Sequence, residues 1–271
     1  MTWLLEPLTY QFMQRGLAAS VIVGVLCAVM GTYVVLRGMA FLGDAMAHAI
    51  LPGVAVAYLF GGNLLVGAGI AAVLVALSIG FFSRQGDVKE DTAIGILFAA
   101  ALSLGVALIS TMQTYAVDLS HILFGNVLGV SSSDLWMIAI ISLIILLIVA
   151  ILYKPFLVIS FDPVLAATLR LPAELLRNLM LVLLALTVVV SLQTVGVSLA
   201  AAMLVTPAAT AYLLTRRLGP MMMVSALIGA VSSVIGLYIS YYFNIVSGSA
   251  IVLTATAIFL LGFLWKRTKS I

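Results

Sequence analysis

One long apolar segment of the chain carries the sequence Gly43-Asp44-Ala45-Met46-Ala47-His48-Ala49-Ile50-Leu51-Pro52-Gly53. It contains a carboxylate and one of only two histidines among 271 residues. Four residues of α-helix turn through about 400°, so Asp44 and His48 project from the same face. Ionisable groups at membrane depth are costly and are kept mainly where they line a pathway or bind something. A carboxylate and an imidazole are typical ligands of first-row divalent metals, which predicts a metal station on a transport path.

Pro52 adds a second feature to this segment. Proline has no backbone N–H, so the carbonyl of His48 loses its usual partner four residues on. The sequence therefore predicts either a kink or a free backbone oxygen beside the candidate ligand His48.

The composition identifies a membrane protein. Hydrophobic residues make up 65% of the chain and charged residues 8%, whereas soluble domains have about 25% charged residues. No polar block is large enough for a separate soluble domain, so residues 1–271 form a single transmembrane domain. The net charge of +3 reflects an excess of basic residues, which in membrane proteins usually lie in cytoplasmic loops. We therefore expect no binding of nucleic acid. The single cysteine, Cys27, excludes an internal disulfide.

The apolar pattern predicts an all-α, polytopic helical bundle with eight or nine transmembrane helices. Residues 1–15 are rich in aromatic side chains and predict a short interfacial segment. The spanning segments that follow are 16–36, 39–60, 64–83, 92–112, 135–153, 174–195, 197–214, 221–243 and 249–265. The seventh is short and contains Pro207.

The positions of the basic residues predict the orientation. With the N-terminus outside, eleven of the twelve Lys and Arg residues fall on the cytoplasmic side, and only Arg15 lies outside. These eleven are Arg37, Arg84, Lys89, Lys154, Arg170, Arg177, Arg216, Arg217, Lys266, Arg267 and Lys269. Cytoplasmic loops carry the excess of basic residues, so we expect an outside N-terminus and a cytoplasmic C-terminus.

Two loops are too long to be simple turns. The outer loop, 113–134, is mostly apolar and predicts a short re-entrant helix that folds back into the bundle. Its last residues, Ser131 to Asp134, are typical of a helix cap. The inner loop, 154–173, contains Asp162 and Pro163, which suit the cap and first position of a short helix. A short amphipathic helix at this place predicts a docking element for a partner.

The second histidine also has an aspartate within one helical turn. Asp118 and His121 are three residues apart, so they share a face if helical. Together with Asp44 and His48 they offer two carboxylates and two imidazoles to one cation. Two structural alternatives stay open: Asp44 pairs with Arg37, or Asp118 and His121 serve only as a cap and in hydrogen bonds.

Several motifs are absent from the sequence. It has no glycine-rich loop ending in Gly-Lys-Ser/Thr and no His-Glu-x-x-His, which argues against a nucleotide site of that kind and a zincin-like protease. Two further classes remain as alternatives, an ion-coupled secondary metal transporter and an intramembrane metalloenzyme.

Three motifs together resemble one known family. They are residues 43–53, the sequence His121-Ile122-Leu123-Phe124-Gly125-Asn126, and the sequence Thr206-Pro207-Ala208-Ala209-Thr210-Ala211-Tyr212. They are similar to the membrane permease subunit of bacterial zinc/manganese/iron importers of the ATP-binding-cassette type, and the resemblance covers essentially the whole chain. One departure is Ala47, where that family often has serine.

The resemblance implies a homodimeric permease in the bacterial plasma (inner) membrane, with a dimer of cytoplasmic ATP-binding subunits and an extracytoplasmic metal-binding protein. ATP hydrolysis then occurs in the partner, and this chain is not itself an enzyme. Asp44, His48, Asp118 and His121 would hold the metal. The segment 160–172 would be the coupling helix, with contacts from Asp162, Leu169, Arg170, Leu171 and Pro172.

The resemblance implies no permanently bound cofactor, only a transported metal ion, and manganese is favoured over zinc or iron. Two oxygen and two nitrogen donors also suit tetrahedral zinc, while manganese prefers more oxygen donors. The donor set therefore leaves the metal open.

Overall fold

The computed structural model describes residues 6–83, 88–111, 127–161 and 163–269. The α-helices in these ranges are α1 Gln11–Leu36, α2 Leu42–Ala49, α3 Leu51–Leu59, α4 Leu64–Phe82, α5 Glu90–Ser110, α6 Ser132–Ile151, α7 Tyr153–Phe161, α8 Pro163–Thr168, α9 Ala173–Val195, α10 Val197–Leu214, α11 Leu218–Phe243 and α12 Ser247–Lys269. Short 3-10 turns occupy Pro7–Thr9 and Val127–Gly129. The described ranges contain no β-strand.

The helices form a membrane bundle. Eight segments of the described chain are long and apolar enough to cross a bilayer, and α2 and α3 together count as one of them. The apolar helix Leu199–Leu214 is shorter. The prediction of an all-α membrane bundle with eight or nine spanning segments is confirmed.

We name the two ends of the bundle after the two ends of α1, as the Gln11 end and the Leu36 end. Tyr10 and Tyr241 have ring centroids 6.4 Å apart at the Gln11 end. Arg37 and Glu90 meet at the Leu36 end. Between α9 and α10 the chain reverses at Gly196, whose φ of 79° lies in the left-handed region that glycine adopts most readily.

Local sequence fixes several helix starts. Ser131 caps α6: its hydroxyl accepts from the N–H of Asp134, and the Asp134 carboxylate accepts from the N–H of Ser131. This reciprocal capping box confirms the predicted helix cap. Asn63 caps α4 by accepting from the N–H groups of Leu65 and Val66. Satisfied N–H groups matter at helix ends because the first four have no partner within the helix.

The helices α1 and α9 form the buried centre, while α5, α6 and α12 expose most of their side chains on the outside. Small residues bring α1 and α11 close together. A Cβ at Gly229 would lie 2.5 Å from the carbonyl oxygen of Gly24, closer than any side chain tolerates. On either side of this contact, Ser233 donates to the carbonyl of Ser20 at 2.9 Å and Ser225 to that of Ala28 at 2.8 Å. Small residues and hydroxyl hydrogen bonds are the usual means of packing membrane helices.

Two predicted segments have a more detailed structure than expected. Residues 11–15 belong to the first turns of α1, and Pro7–Thr9 form a 3-10 turn before it. The predicted inner loop holds α7 and α8 and ends at Pro172, the residue before α9. The described part of the predicted outer loop consists of the Val127–Gly129 turn and the start of α6.

We expect Gly229→Ala to destabilise the protein by about 1–3 kcal/mol, because the added methyl group overpacks the α1–α11 contact. Thermal unfolding in detergent measures the effect. Gly95→Ala is the matched control, since a Cβ at Gly95 in α5 meets nothing within 4 Å. Equal unfolding temperatures for the two variants would contradict the close packing of α1 on α11.

Candidate metal site

The helix that carries Asp44 and His48 is interrupted directly after them. Helix α2 ends at Ala49, and α3 begins at Leu51 with Pro52 in its first turn. The N–H of Ile50, between the two helices, turns towards the carbonyl oxygen of His48. The α-helical hydrogen bonds are therefore interrupted at Ile50, two residues before Pro52, while Ile50 keeps helical dihedral angles (φ −79°, ψ −16°).

Neighbouring helices press closely on both sides of the break. A Cβ at Gly105 of α5 would lie 2.8 Å from the Cβ of Leu51. A Cβ at Gly43 would lie 3.4 Å from the Cα of Ala201 in α10. Only small residues permit such close approaches. The backbones of α2 and α3 therefore pack closely against those of α5 and α10.

Asp44 and His48 lie on one face of α2, as their spacing predicts. His48 Nε2 is 3.8 Å from Asp44 Oδ1, and the side chains are 28% and 44% exposed respectively. The four residues Ala45, Met46, Ala47 and Ala49 on the remaining faces are at most 3% exposed. The polar pair thus occupies the open face of an otherwise buried helix.

The geometry of the pair leaves room for an ion. A separation of 3.8 Å exceeds the length of a hydrogen bond, so neither group uses its lone pairs fully on the other. Bonds of about 2.0–2.2 Å from a metal to nitrogen and oxygen place two ligands roughly 3–3.5 Å apart on one ion. A small side-chain rotation brings Asp44 and His48 to that spacing.

Aromatic rings form one wall beside the pair. The ring of Phe98, in α5, lies edge-on to that of His48 with centroids 5.9 Å apart. Phe98 also contacts Phe41, the residue just before α2, with ring centroids 5.4 Å apart. Sequence reasoning missed Phe98, since nothing in an apolar helix distinguishes one phenylalanine from its neighbours.

The alternative that Asp44 pairs with Arg37 is wrong. Arg37 Nη2 lies 2.7 Å from Glu90 Oε2, at the start of α5, and both side chains are mostly buried. The carboxylate of Asp44 is therefore not neutralised by Arg37. It remains directed to the open face of α2 beside His48.

Asp118 and His121 lie outside the described residues, so their approach to Asp44 and His48 stays a prediction. Within the described ranges, no group of three or more His, Cys, Asp and Glu side chains could hold a metal. The described part of the site therefore consists of one carboxylate and one imidazole.

The predicted coupling residues Leu169, Arg170, Leu171 and Pro172 follow α8, and Asp162 is outside the described residues. Leu169 is 55% exposed, and Arg170 has a φ of 53° in the left-handed region. The N–H of Leu171 donates to the carbonyl of Ala166 at 3.0 Å, which closes the end of α8. Pro172 directly precedes α9. The segment is a compact turn with an exposed leucine at its tip.

The fold and this site define a multi-pass membrane protein with a polar Asp–His pair inside an apolar helical bundle. The chain matches the ABC 3 transport family over residues 9–266 and belongs to that family. As a member with eight apolar spanning segments in its described part, it is a multi-pass protein of the bacterial plasma membrane.

Relatives and solved structures support this assignment over nearly the full length. The chain is 47% identical over 266 residues to the manganese transport system membrane protein MntC of Halalkalibacterium halodurans, covering 98% of this chain and 91% of that protein. It is 50% identical over 262 residues to a protein of the same name from Listeria innocua, covering 97% and 93%. A chain in the structure of PsaBC from Streptococcus pneumoniae in complex with Fab is 41% identical, with a TM-score of 0.85 over 96% of this chain and 94% of that chain.

We expect Asp44→Asn to weaken binding of divalent metal ions at least roughly tenfold, because even outer partners of metal ligands contribute that much. Calorimetric titration of the detergent-solubilised protein with Mn²⁺ and Zn²⁺ as probes measures the effect. Asp91→Asn is the matched control, since Asp91 is an exposed carboxylate at the start of α5. Unchanged affinity in Asp44→Asn would remove Asp44 from the site.

Proposed function

We propose that this chain is the membrane permease subunit of an ATP-driven importer of divalent transition-metal ions, with Mn²⁺ as the favoured cargo. The observation that carries the proposal is the Asp44–His48 pair. It lies partly open, 3.8 Å apart, at an interrupted helix inside an apolar bundle. Charged groups in such a place are kept for passage or binding of ions.

The names of the relatives support manganese as the cargo. Two proteins that are about half identical over nearly the whole chain are described as manganese transport system membrane proteins. Zn²⁺ and Fe²⁺ are the alternatives, because a site with oxygen and nitrogen donors also suits them.

The chemistry of the permease is coordination without any covalent step. The ion arrives from outside and is taken up by Asp44 and His48, with Asp118 and His121 as the further ligands that the sequence predicts. Two carboxylates would balance the charge of a divalent cation. Protons compete with the metal for imidazole and carboxylate, so affinity falls as the pH is lowered.

The distribution of charge supports an outside N-terminus. Three basic residues that are predicted to be cytoplasmic lie at the Leu36 end of the bundle. Arg37 follows α1, Lys89 precedes α5, and Arg177 lies near the start of α9. Cytoplasmic ends of membrane helices carry this excess of basic residues. We therefore assign the Leu36 end to the cytoplasm and the Gln11 end to the outside.

Three partners follow from the family. Two cytoplasmic ATP-binding subunits hydrolyse ATP, a second copy of this chain completes the permease, and an extracytoplasmic metal-binding protein delivers the ion. The segment α7–α8, together with Leu169, Arg170, Leu171 and Pro172, docks on the ATP-binding subunit. The exposed side chain of Leu169 suits this role.

The decisive experiment measures metal uptake by the purified permease and its ATP-binding partner in lipid vesicles. Mn²⁺, Zn²⁺ and Fe²⁺ are compared with and without ATP, in the wild type and in Asp44→Ala. We expect ATP-dependent uptake, highest for Mn²⁺, that Asp44→Ala abolishes because the path loses a carboxylate ligand. His48→Ala and His121→Ala should also lose uptake while the complex still assembles.

The control variant is Asp91→Ala, which removes an exposed carboxylate outside the path. Uptake that needs no ATP would favour a secondary transporter instead. Uptake that survives Asp44→Ala would exclude this helix face as the ion path.

We expect Leu169→Ala to lower uptake per ATP hydrolysed roughly fivefold or more, because it removes an apolar contact between α8 and the ATP-binding subunit. Metal affinity should stay at the wild-type value, since Leu169 lies after α8 and not on α2 or α5, the helices of Asp44, His48 and Phe98. Parallel assays of uptake, ATP hydrolysis and metal binding test this separation. Leu143→Ala on α6 is the control, with similar exposure of 59%; equal coupling in both variants would argue against α8 as the docking element.

A further inference from the structure

A polar cavity of about 280 Å³ lies at the Leu36 end of the bundle, apart from the Asp44–His48 pair. Its lining residues come from the end of α1, the start of α5, α7 and the start of α9. They are Arg37, Glu90, Ile159, Ala173, Glu174 and Arg177. Two arginines and two glutamates thus surround one space where four elements meet.

Arg37 and Glu90 hold this junction together. Their side chains form an ion pair of 2.7 Å and are 12% and 19% exposed. Arg37 Nη1 and Glu90 Oε1 are buried and find no hydrogen-bond partner in the described part of the chain. Each member of the pair therefore has an unused polar atom that can take a second partner.

Arg177 supplies a second cation in the same cavity. Its Nη2 donates to the carbonyl of Gly80 at 2.8 Å at the end of α4, while its buried Nε has no partner among the described residues. Burial lowers the pKa of Arg37, and the charge of Arg177 lowers it further, which Glu90 opposes. Glu90 therefore shares one cavity with two guanidinium groups, and it pairs with that of Arg37.

The cavity is connected to the segment α7–α8. Ile159 of α7 forms part of its wall, and Ala173 and Glu174 follow directly after Pro172. One turn before Arg37, the buried rings of Tyr33 and Phe156 pack edge to face with centroids 5.8 Å apart. A movement of α7 or of the start of α9 would therefore displace residues that line the cavity beside Arg37 and Glu90.

The ion pair is also connected to the metal pair. Arg37 is the residue directly after α1, and the chain passes from it through Phe41 into α2. Glu90 begins α5, and Phe98, two turns further along, contacts both Phe41 and His48. Arg37 therefore lies on the short link that leads into α2, the helix of His48, and Glu90 lies on α5, which contacts His48 through Phe98.

We propose that Arg37, Glu90 and Arg177 are positioning residues that form a partner-exchange switch between the docking segment and the metal pair. This inference rests on the proposed function. Movement of the start of α9 brings Arg177 to Glu90 and releases Arg37 from it. The separation of α1 from α5 then shifts α2 and Phe98, and so changes the spacing of Asp44 and His48. Repacking of ion pairs between two discrete arrangements is a common basis of such transitions.

The test measures uptake of Mn²⁺, ATP hydrolysis and Mn²⁺ affinity in the assembled complex in vesicles. The variants are Glu90→Gln, Arg177→Gln and the charge swap Arg37→Glu with Glu90→Arg. Lys89→Gln is the matched control, because it removes an exposed charge next to Glu90.

We expect Glu90→Gln and Arg177→Gln to lower uptake per ATP hydrolysed roughly tenfold, within the usual range of coupling between sites. Complex assembly stays at the wild-type level, and Lys89→Gln changes neither the coupling nor the Mn²⁺ affinity. The charge swap keeps an opposite-charge pair but does not recover the coupling, because it removes from position 90 the carboxylate that Arg177 must reach.

A proportional fall of uptake and ATP hydrolysis in Glu90→Gln would overturn the switch, as would a charge swap that restores wild-type coupling, because a static ion pair would then be sufficient. Where Glu90→Gln fails to assemble, Glu90→Asp keeps the charge and shortens its reach, and an unchanged coupling ratio there overturns the proposal. Absence of ATP-dependent uptake in the wild type would instead refute the proposed function, so the two failures are distinguishable.

Discussion

The bilayer offers no water to polar groups, and this constraint governs every charged residue of the bundle. Each backbone or side-chain polar group at membrane depth needs a partner within the protein or a reason to be left open. Arg37 meets the constraint through Glu90 at 2.7 Å, and the buried hydroxyls of Ser225 and Ser233 meet it through backbone carbonyls of α1. Asp44 and His48 make no such short contact with the described residues, which is why they stand out as a site.

Close backbone packing determines where that open face lies. Gly31 of α1 presses on Leu204 of α10, and Gly53 of α3 presses on Gly67 of α4 so closely that a Cβ at either glycine would overlap its neighbour. Helices that approach this closely leave little space around α2 and α3. The open face with Asp44 and His48 is the side that this packing does not cover.

The sequence predicted features that depend on local chemistry. The apolar segment 64–83 corresponds to α4 at Leu64–Phe82, and the break at Pro52 follows from one missing N–H. The Arg37–Glu90 pair joins residues 53 positions apart, and no local rule connects them. The role of Gly229 likewise depends on which helix lies opposite. The first spanning segment is predicted to start at residue 16, yet α1 extends back to Gln11, because the helix continues past Arg15 into the interface.

The donor set limits which ions the site accepts. Helix α2 supplies one oxygen and one nitrogen donor, fewer than the four that zinc requires or the larger number that manganese prefers. The further donors that we propose are Asp118 and His121. The only cysteine, Cys27, is buried against Ser191 at 3.0 Å, so no thiolate biases the site towards soft metals. Since nitrogen and oxygen donors bind Zn²⁺ more tightly than Mn²⁺, an importer selective for Mn²⁺ must obtain that selectivity from coordination geometry or from the protein that delivers the ion, rather than from the affinity of Asp44 and His48.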